Sequence, residues 1–416
     1  MNIFTNVLDK LNEHKFKIII VLFIIVCLIV AIPFIQNVIS PPDTTPIKSI
    51  KAICNTEYKT TETIDPGEIK VTAIHQSGKE SRLSSKEYTI STTKVAKVGK
   101  YTNVYVFLKN NKKISCIVKV PVIRKKITAF PCGYPNTNNV KAVLYNNGEL
   151  CFEGKGDILM HQAGEYPWND YEEADTNPIK AISFAKGVKP TNLNNCFMGL
   201  EELKYSVNIP SSVRSMISTF EGCTNLTNTP AFEKDSELID LTRAFAGCEK
   251  LKNPSSLPSN VTNMTEAFED CINLQKAPNM SACTKLTNLS KAFAGCHGLT
   301  DVRIPVNAQN LSETFIDCIN LKNMPMIPGK VTSMNATFSG CTSLIKATNI
   351  PKSVRDTSSL FSGCTMLSGA LLVDANATEY TDMFADSCSS TTLTLSGGSK
   401  YLKQYSQTCN TGNVKY

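Results

Sequence analysis

Residues 261–282 read VTNMTEAFEDCINLQKAPNMSA, and the same pattern recurs from Asn194 to Cys388. Nine phenylalanines mark its copies: Phe197, Phe220, Phe245, Phe268, Phe293, Phe315, Phe338, Phe361 and Phe384. Their separations are 23, 25, 23, 25, 22, 23, 23 and 23 residues. Three residues after most of them stands a cysteine, from Cys223 to Cys364, and three further on a leucine, from Leu226 to Leu367. Prolines such as Pro230, Pro278, Pro325 and Pro351 close many units. A single unit has too few apolar side chains for a core. Stacked units bury one another's Phe, Cys and Leu, so a fixed period of this length predicts a solenoid.

The unit resembles the BspA-type (TpLRR-like) leucine-rich repeat. Its x-AF-x-x-C-x-x-L core stands here as AFEDCINL, AFAGCHGL, TFIDCINL, TFSGCTSL and LFSGCTML, followed by NIPSSV, LPSNV, MIPGKV and NIPKSV. The resemblance implies an α/β leucine-rich-repeat solenoid over 197–386 and an extracytoplasmic binding or adhesion surface, without a reaction.

The 416 residues suggest two or three domains. The net charge of +7 is unevenly spread. Residues 47–126 carry 17 Lys and Arg against 6 Asp and Glu, and residues 127–416 carry 23 against 27. The basic part would suit an anionic envelope or plain solvation. No face interleaves cations with aromatics, so nucleic-acid binding is not expected.

At the start, residues 1–17 hold Lys10, Lys15 and Lys17, and Ile18 to Ile35 is uncharged. As a helix that stretch spans about 27 Å, close to the hydrocarbon thickness of a bilayer. Its end, PFIQNVIS, lacks the small residues of a cleavage site. The expectation is an uncleaved transmembrane helix over 18–39, with a cytoplasmic N-terminus and the bulk of the chain outside the cell. A proline-rich linker follows over 40–46.

Residues 47–123 alternate β-branched or aromatic with polar residues in IKSIKAIC, EIKVTAIH, KEYTIST, TNVYVFLK and KISCIVKV. Turn signals at Asp65-Pro66-Gly67, Ser77-Gly78 and Asn110-Asn111 separate them. An all-β sandwich is predicted. The run Ile64–Ala73 and the segment Val95–Val106 with Gly99 resemble a bacterial Ig-like domain of the Big type, which implies a stalk.

Residues 124–196 hold a hairpin signal at Asn146-Asn147-Gly148, then Trp168 in EYPWNDY. This order is similar to that ahead of BspA-like repeats and implies an N-terminal cap. Trp168 would pack on the first coil or stack on a ligand. Residues 387–416 leave the pattern and are expected to close the other end.

Catalytic signals are weak. The repeat cysteines form no C-x-x-C pair and read as a buried column of small hydrophobes, or as disulfides between neighbouring coils. Pairing of Cys54 with Cys116, or Cys132 with Cys151, stays open. His14, His75, His161 and His297 show no metal-ligand spacing, and no nucleophile elbow or phosphate loop occurs. No metal, cofactor or enzymatic activity is expected. N-x-S/T triplets stand at Asn225, Asn260, Asn288, Asn310 and Asn335, and most recur at matching repeat positions, as the repeat itself would produce.

Positions that vary on the short repeat strands are the candidate contacts: Lys252, Gln275, Lys276, Asp301, Arg303, Lys322, Asn323 and Lys346. The reading is a membrane-anchored surface protein that binds an extracellular protein or glycan along its repeats. The alternative is an envelope structural or scaffolding component, phage- or mobile-element-encoded, with no host ligand.

Overall fold

A computed structural model describes residues 45–58, 63–92, 101–122, 124–169, 178–206 and 208–416. These fall into two units, one ending at Pro121 and one running from Val122 to Tyr416.

In the first unit, β1 (Ile47–Cys54), β2 (Ile69–His75) and β3 (Glu80–Leu83) form one antiparallel sheet. A second is formed by β4 (Tyr88–Ile90), β5 (Tyr101–Leu108) and β6 (Asn111–Pro121). Alternation sets the faces: Ile69, Val71 and Ala73 of β2, and Val104 and Val106 of β5, are buried, while Lys70, Asn103 and Tyr105 are not. The expected segment around Gly99 lies outside the described residues.

The second unit opens with β7 (Lys126–Pro131), β8 (Gly133–Tyr134), β9 (Val140–Tyr145), β10 (Glu149–Gly154), β11 (Asp157–Ile158) and β12 (Ala181–Phe184). Strands β9 and β10 make the hairpin turned by Asn146-Asn147-Gly148, with Gly148 at φ 78°. β12 adds parallel to β10, and β13 (Tyr205–Ser206) parallel to β12, which starts the chain spiralling in one direction. The spiral ends in β14 (Gly369–Leu372), β15 (Leu393–Ser396), α1 (Leu402–Gln407) and β16 (Val414–Lys415), whose three strands pair in parallel. One contiguous core runs from Cys132 to Val414.

Inside the coils the backbone alternates. The residue two before each repeat Phe has positive φ (Asn195, Ser218, Arg243, Glu266, Lys291, Glu313, Ala336, Ser359, Asp382). So does the residue two after it, a glycine or aspartate such as Gly222, Asp270, Gly340 or Asp386. Every second N–H therefore points to the next coil: Ser218 N donates to Thr242 O at 2.9 Å, Phe220 N to Ala244 O at 2.9 Å and Gly222 N to Ala246 O at 2.8 Å. Left-handed non-glycine residues cost about 1–2 kcal/mol each. The inter-coil bonds and the stacked core offset that.

Two expectations are corrected. The repeats are not an α/β solenoid: among the described residues the one α-helix is α1, and the coils are turns with isolated parallel bridges. An α-helix directs each N–H to the carbonyl four residues back. Here alternate donors are committed to the neighbouring coil, which excludes helix. The single-pass membrane localisation is not upheld either, because no helix among the described residues is long and apolar enough to cross a membrane. The stretch 18–39 that motivates it lies outside the described residues, as do 1–17 and almost all of 40–46.

Candidate functional site

The interior columns are inert. The rings of successive repeat phenylalanines lie 5.3–5.9 Å apart, and after the first pair their planes stay within 16°. Each is fully buried, contributing about 1.5–3 kcal/mol. Each ladder thiol donates to the carbonyl of the preceding coil's Phe at 3.1–3.2 Å, as Cys341 does to Phe315. Burial pushes the thiols from Cys248 to Cys364 up, Cys341 to about 12. All fifteen described cysteines are free, so Cys54, Cys116, Cys132 and Cys151 are not bridged.

The two ends of the stack have opposite polarity, and each is met by its complement. Carbonyls at the first coil receive Tyr166 Oη at Asn194 O (3.0 Å), Trp168 Nε1 at Cys196 O (2.8 Å) and Asn169 Nδ2 at Met198 O (3.4 Å). Amides at the last coil find acceptors: Phe384 N donates to Thr408 Oγ1 (3.1 Å) and Asp386 N to Asn410 Oδ1 (2.9 Å). Trp168 is fully buried, so it packs and caps and offers no face to a ligand.

Beneath this cap, Arg124 donates to Glu149 at 2.9 Å and lies over the Tyr145 ring at 3.9 Å. His75 bonds Thr45 O and Ser81 Oγ, and the His161 ring lies against Tyr166. Among the described residues no three His, Cys, Asp or Glu side chains are grouped to hold a metal.

The outer surface is where variation is visible. On one ridge the charges cancel. Arg243 reaches Glu221 (2.8 Å), Glu269 (3.1 Å) and Glu266, and Lys291 lies 3.5 Å from Glu313. Asn263, Asn288 and Asn310, one repeat apart, turn their side chains back on the backbone two residues on, at 2.9–3.1 Å. That explains why the triplets at Asn288 and Asn310 keep the repeat period: the amide is used structurally.

The other face carries the sequence candidates. Lys252, Gln275, Lys276, Asp301, Arg303, Lys322, Asn323 and Lys346 are all exposed. Lys276 bridges in parallel to Asp301, and Asn323 to Lys346, so they sit side by side on consecutive coils. Lys252, Lys276, Arg303, Lys322 and Lys346 make no ion pair among the described residues. Sequence reasoning misses a cleft beside this face. A groove of about 620 Å³ runs between residues 276–284 and 301–306, rimmed by Lys276, Asp301 and Arg303. Its signal lies in the spacings: the 25-residue unit starting at Phe268 is followed by the 22-residue unit starting at Phe293.

The model of the BspA-type leucine-rich repeat region matches residues 174–290 and 289–411, and that of a bacterial Ig-like domain (group 3) matches residues 55–120. Among solved structures, a leucine-rich repeat protein from Bacteroides ovatus is 17% identical, with 70% of this chain and 98% of that one covered at a TM-score of 0.40. One from Eubacterium ventriosum is 15% identical (66% and 85% covered, TM-score 0.35). The T. pallidum leucine-rich repeat protein is 22% identical (58% and 91% covered, TM-score 0.32). No curated protein matches the chain.

Proposed function

The chain belongs to the BspA-type leucine-rich repeat family and carries a bacterial Ig-like domain ahead of the repeats; on that footing we propose that it is a non-catalytic recognition protein whose repeats bind an extracellular protein or glycan. The family supports a repeat-based binding role in general. The contact face is the strand column through Lys252, Lys276, Lys322 and Lys346, with Gln275, Asp301, Arg303 and Asn323 beside it.

One observation carries this reading. Residues 127–416 carry 23 Lys and Arg against 27 Asp and Glu, and on another ridge charges are paired within the fold, yet the strand column and its flank present five cations without an ion pair among the described residues. Exposed cations already paired within the fold have little left to offer a partner, whereas unpaired ones steer association and set register on a ligand of opposite sign. The coils repeat at about the strand spacing of 4.8 Å, so the column can meet an extended ligand at several points.

The test compares the full-length chain with its K252E/K276E/K322E/K346E variant. Both are assayed in pull-downs on immobilised extracellular matrix proteins and cell-envelope glycans. Loss of capture in the variant, with an unchanged circular-dichroism spectrum, is the expected result. Capture that survives charge reversal, or that maps to the Ig-like domain, would overturn the reading.

A further inference from the structure

The groove beside the strand column is a place where the solenoid's own hydrogen bonding stops. Thr300 N donates to Gln275 O at 3.1 Å, and the next backbone bond to the preceding coil is Gln309 N to Thr287 O at 2.9 Å. Between them lies only the bridge of Lys276 and Asp301, and Asn307 Nδ2 closes the far end on Thr284 O at 2.6 Å. Elsewhere in this layer a backbone bond runs to the following coil, from Leu257 N to Asn279 O and from Met324 N to Lys346 O, and none of that kind joins 276–284 to 301–306. The cause is arithmetic. The unit from Phe268 has three residues more than the unit from Phe293, so the two coils do not match residue for residue over this stretch.

The opening has a definite chemistry. The peptide groups of Arg303 and Ile304 have no backbone partner among the described residues. The walls are apolar at Pro278, Ile304 and Pro305, and Val306 stands 70% exposed at the edge. Lys276 and Arg303 rise at the rim without an ion pair among the described residues, two cations against the single carboxylate of Asp301 on the same rim. Main-chain groups at an open edge that make no bond within the chain are available to another main chain lying alongside, as in strand addition. The apolar walls call for an aliphatic side chain, and the two cations for carboxylates flanking it.

We propose that this groove receives an extended peptide segment in which acidic residues flank an aliphatic one. The inference deepens the repeat-surface reading and rests on it. A glycan acid would satisfy the cations but would leave the apolar walls and the free peptide groups unmatched.

The test uses the full-length chain with carbon-13-labelled methionine methyls. Met280 lines the groove, while Met216 and Met264 are buried in the core and report the fold. A blocked Thr-Glu-Leu-Glu-Thr peptide is titrated in, against its Thr-Lys-Leu-Lys-Thr counterpart and against tetragalacturonate. The expected result is a saturable shift of the Met280 signal with the acidic peptide alone. That shift should weaken by about tenfold or more in the K276E/R303E variant while Met216 and Met264 stay in place. An unmoved Met280 at millimolar peptide, an equal response to the basic peptide or to the uronate, or an affinity unchanged by K276E/R303E would each overturn it. Should Met280 stay silent while K322E/K346E still abolishes capture in the pull-down, the groove assignment falls and the column reading stands.

Discussion

Replacing Trp168 with Phe probes the way the stack is closed. The indole N–H donates to Cys196 O at 2.8 Å, and the side chain is fully buried. Phe keeps an aromatic ring against Phe152, whose centroid lies 5.4 Å away, but cannot donate. An orphaned buried carbonyl costs about 1–3 kcal/mol. The smaller ring leaves a void of roughly 40 Å³, and at about 24 cal/mol per Å³ that adds about 1 kcal/mol. The expected loss is therefore about 2–4 kcal/mol. It falls on the first coil, because stacked units depend chiefly on their neighbours. The chain has one tryptophan, so its fluorescence disappears with the substitution. Guanidinium unfolding followed by far-UV circular dichroism gives the stability. Hydrogen-exchange mass spectrometry over residues 192–203 locates the change, which should be faster exchange there and little change near Phe361. A loss below about 0.5 kcal/mol, with unchanged exchange in the first coil, would refute the claim that a donor cap holds the open end.

Other consequences are as direct. Arg124→Met strands the buried Glu149 carboxylate, 2.9 Å from the guanidinium in the native protein, and should destabilise by about 3–5 kcal/mol in thermal unfolding. The ladder thiols have native pKa values above their ordinary 9, so the unfolded chain releases their protons first as pH rises. Stability should hold below pH 9 and fall above it, by about 1.4 kcal/mol per pH unit for each thiol that the unfolded state alone has ionised. Iodoacetamide at neutral pH should spare the ladder and modify Cys409 first. Burial acts to raise that thiol's pKa, but hydrogen bonds from Thr411 and nearby backbone hold it below the usual value. Gly340→Ala should cost more than Gly222→Ala in urea unfolding. Both have positive φ, but a new Cβ at 340 meets Asp317 Oδ1 at 2.0 Å, while at 222 it finds nothing nearer than 3.7 Å. The excess should shrink when Asp317→Gly accompanies Gly340→Ala.

The sequence alone carried the repeat, because its information is one-dimensional: the period of Phe, Cys and Leu states which side chains share a column. The burial of the cysteine ladder was legible for the same reason, and so was the hairpin at Asn146-Asn147-Gly148, whose turn chemistry is local. The exposure of Lys276, Arg303 and their neighbours could be read from variation within an otherwise constant unit. Tertiary structure decided what depends on where hydrogen bonds go. Alternating backbone handedness sends every second amide to the next coil, which forbids the helices expected of an α/β solenoid. The resulting polarity gives Trp168 its role as a donor cap. The mismatch of a 25-residue unit against a 22-residue one was printed in the spacings, but only the packed coils show it as a groove, since surplus length can bow out, fold in or be absorbed in a turn.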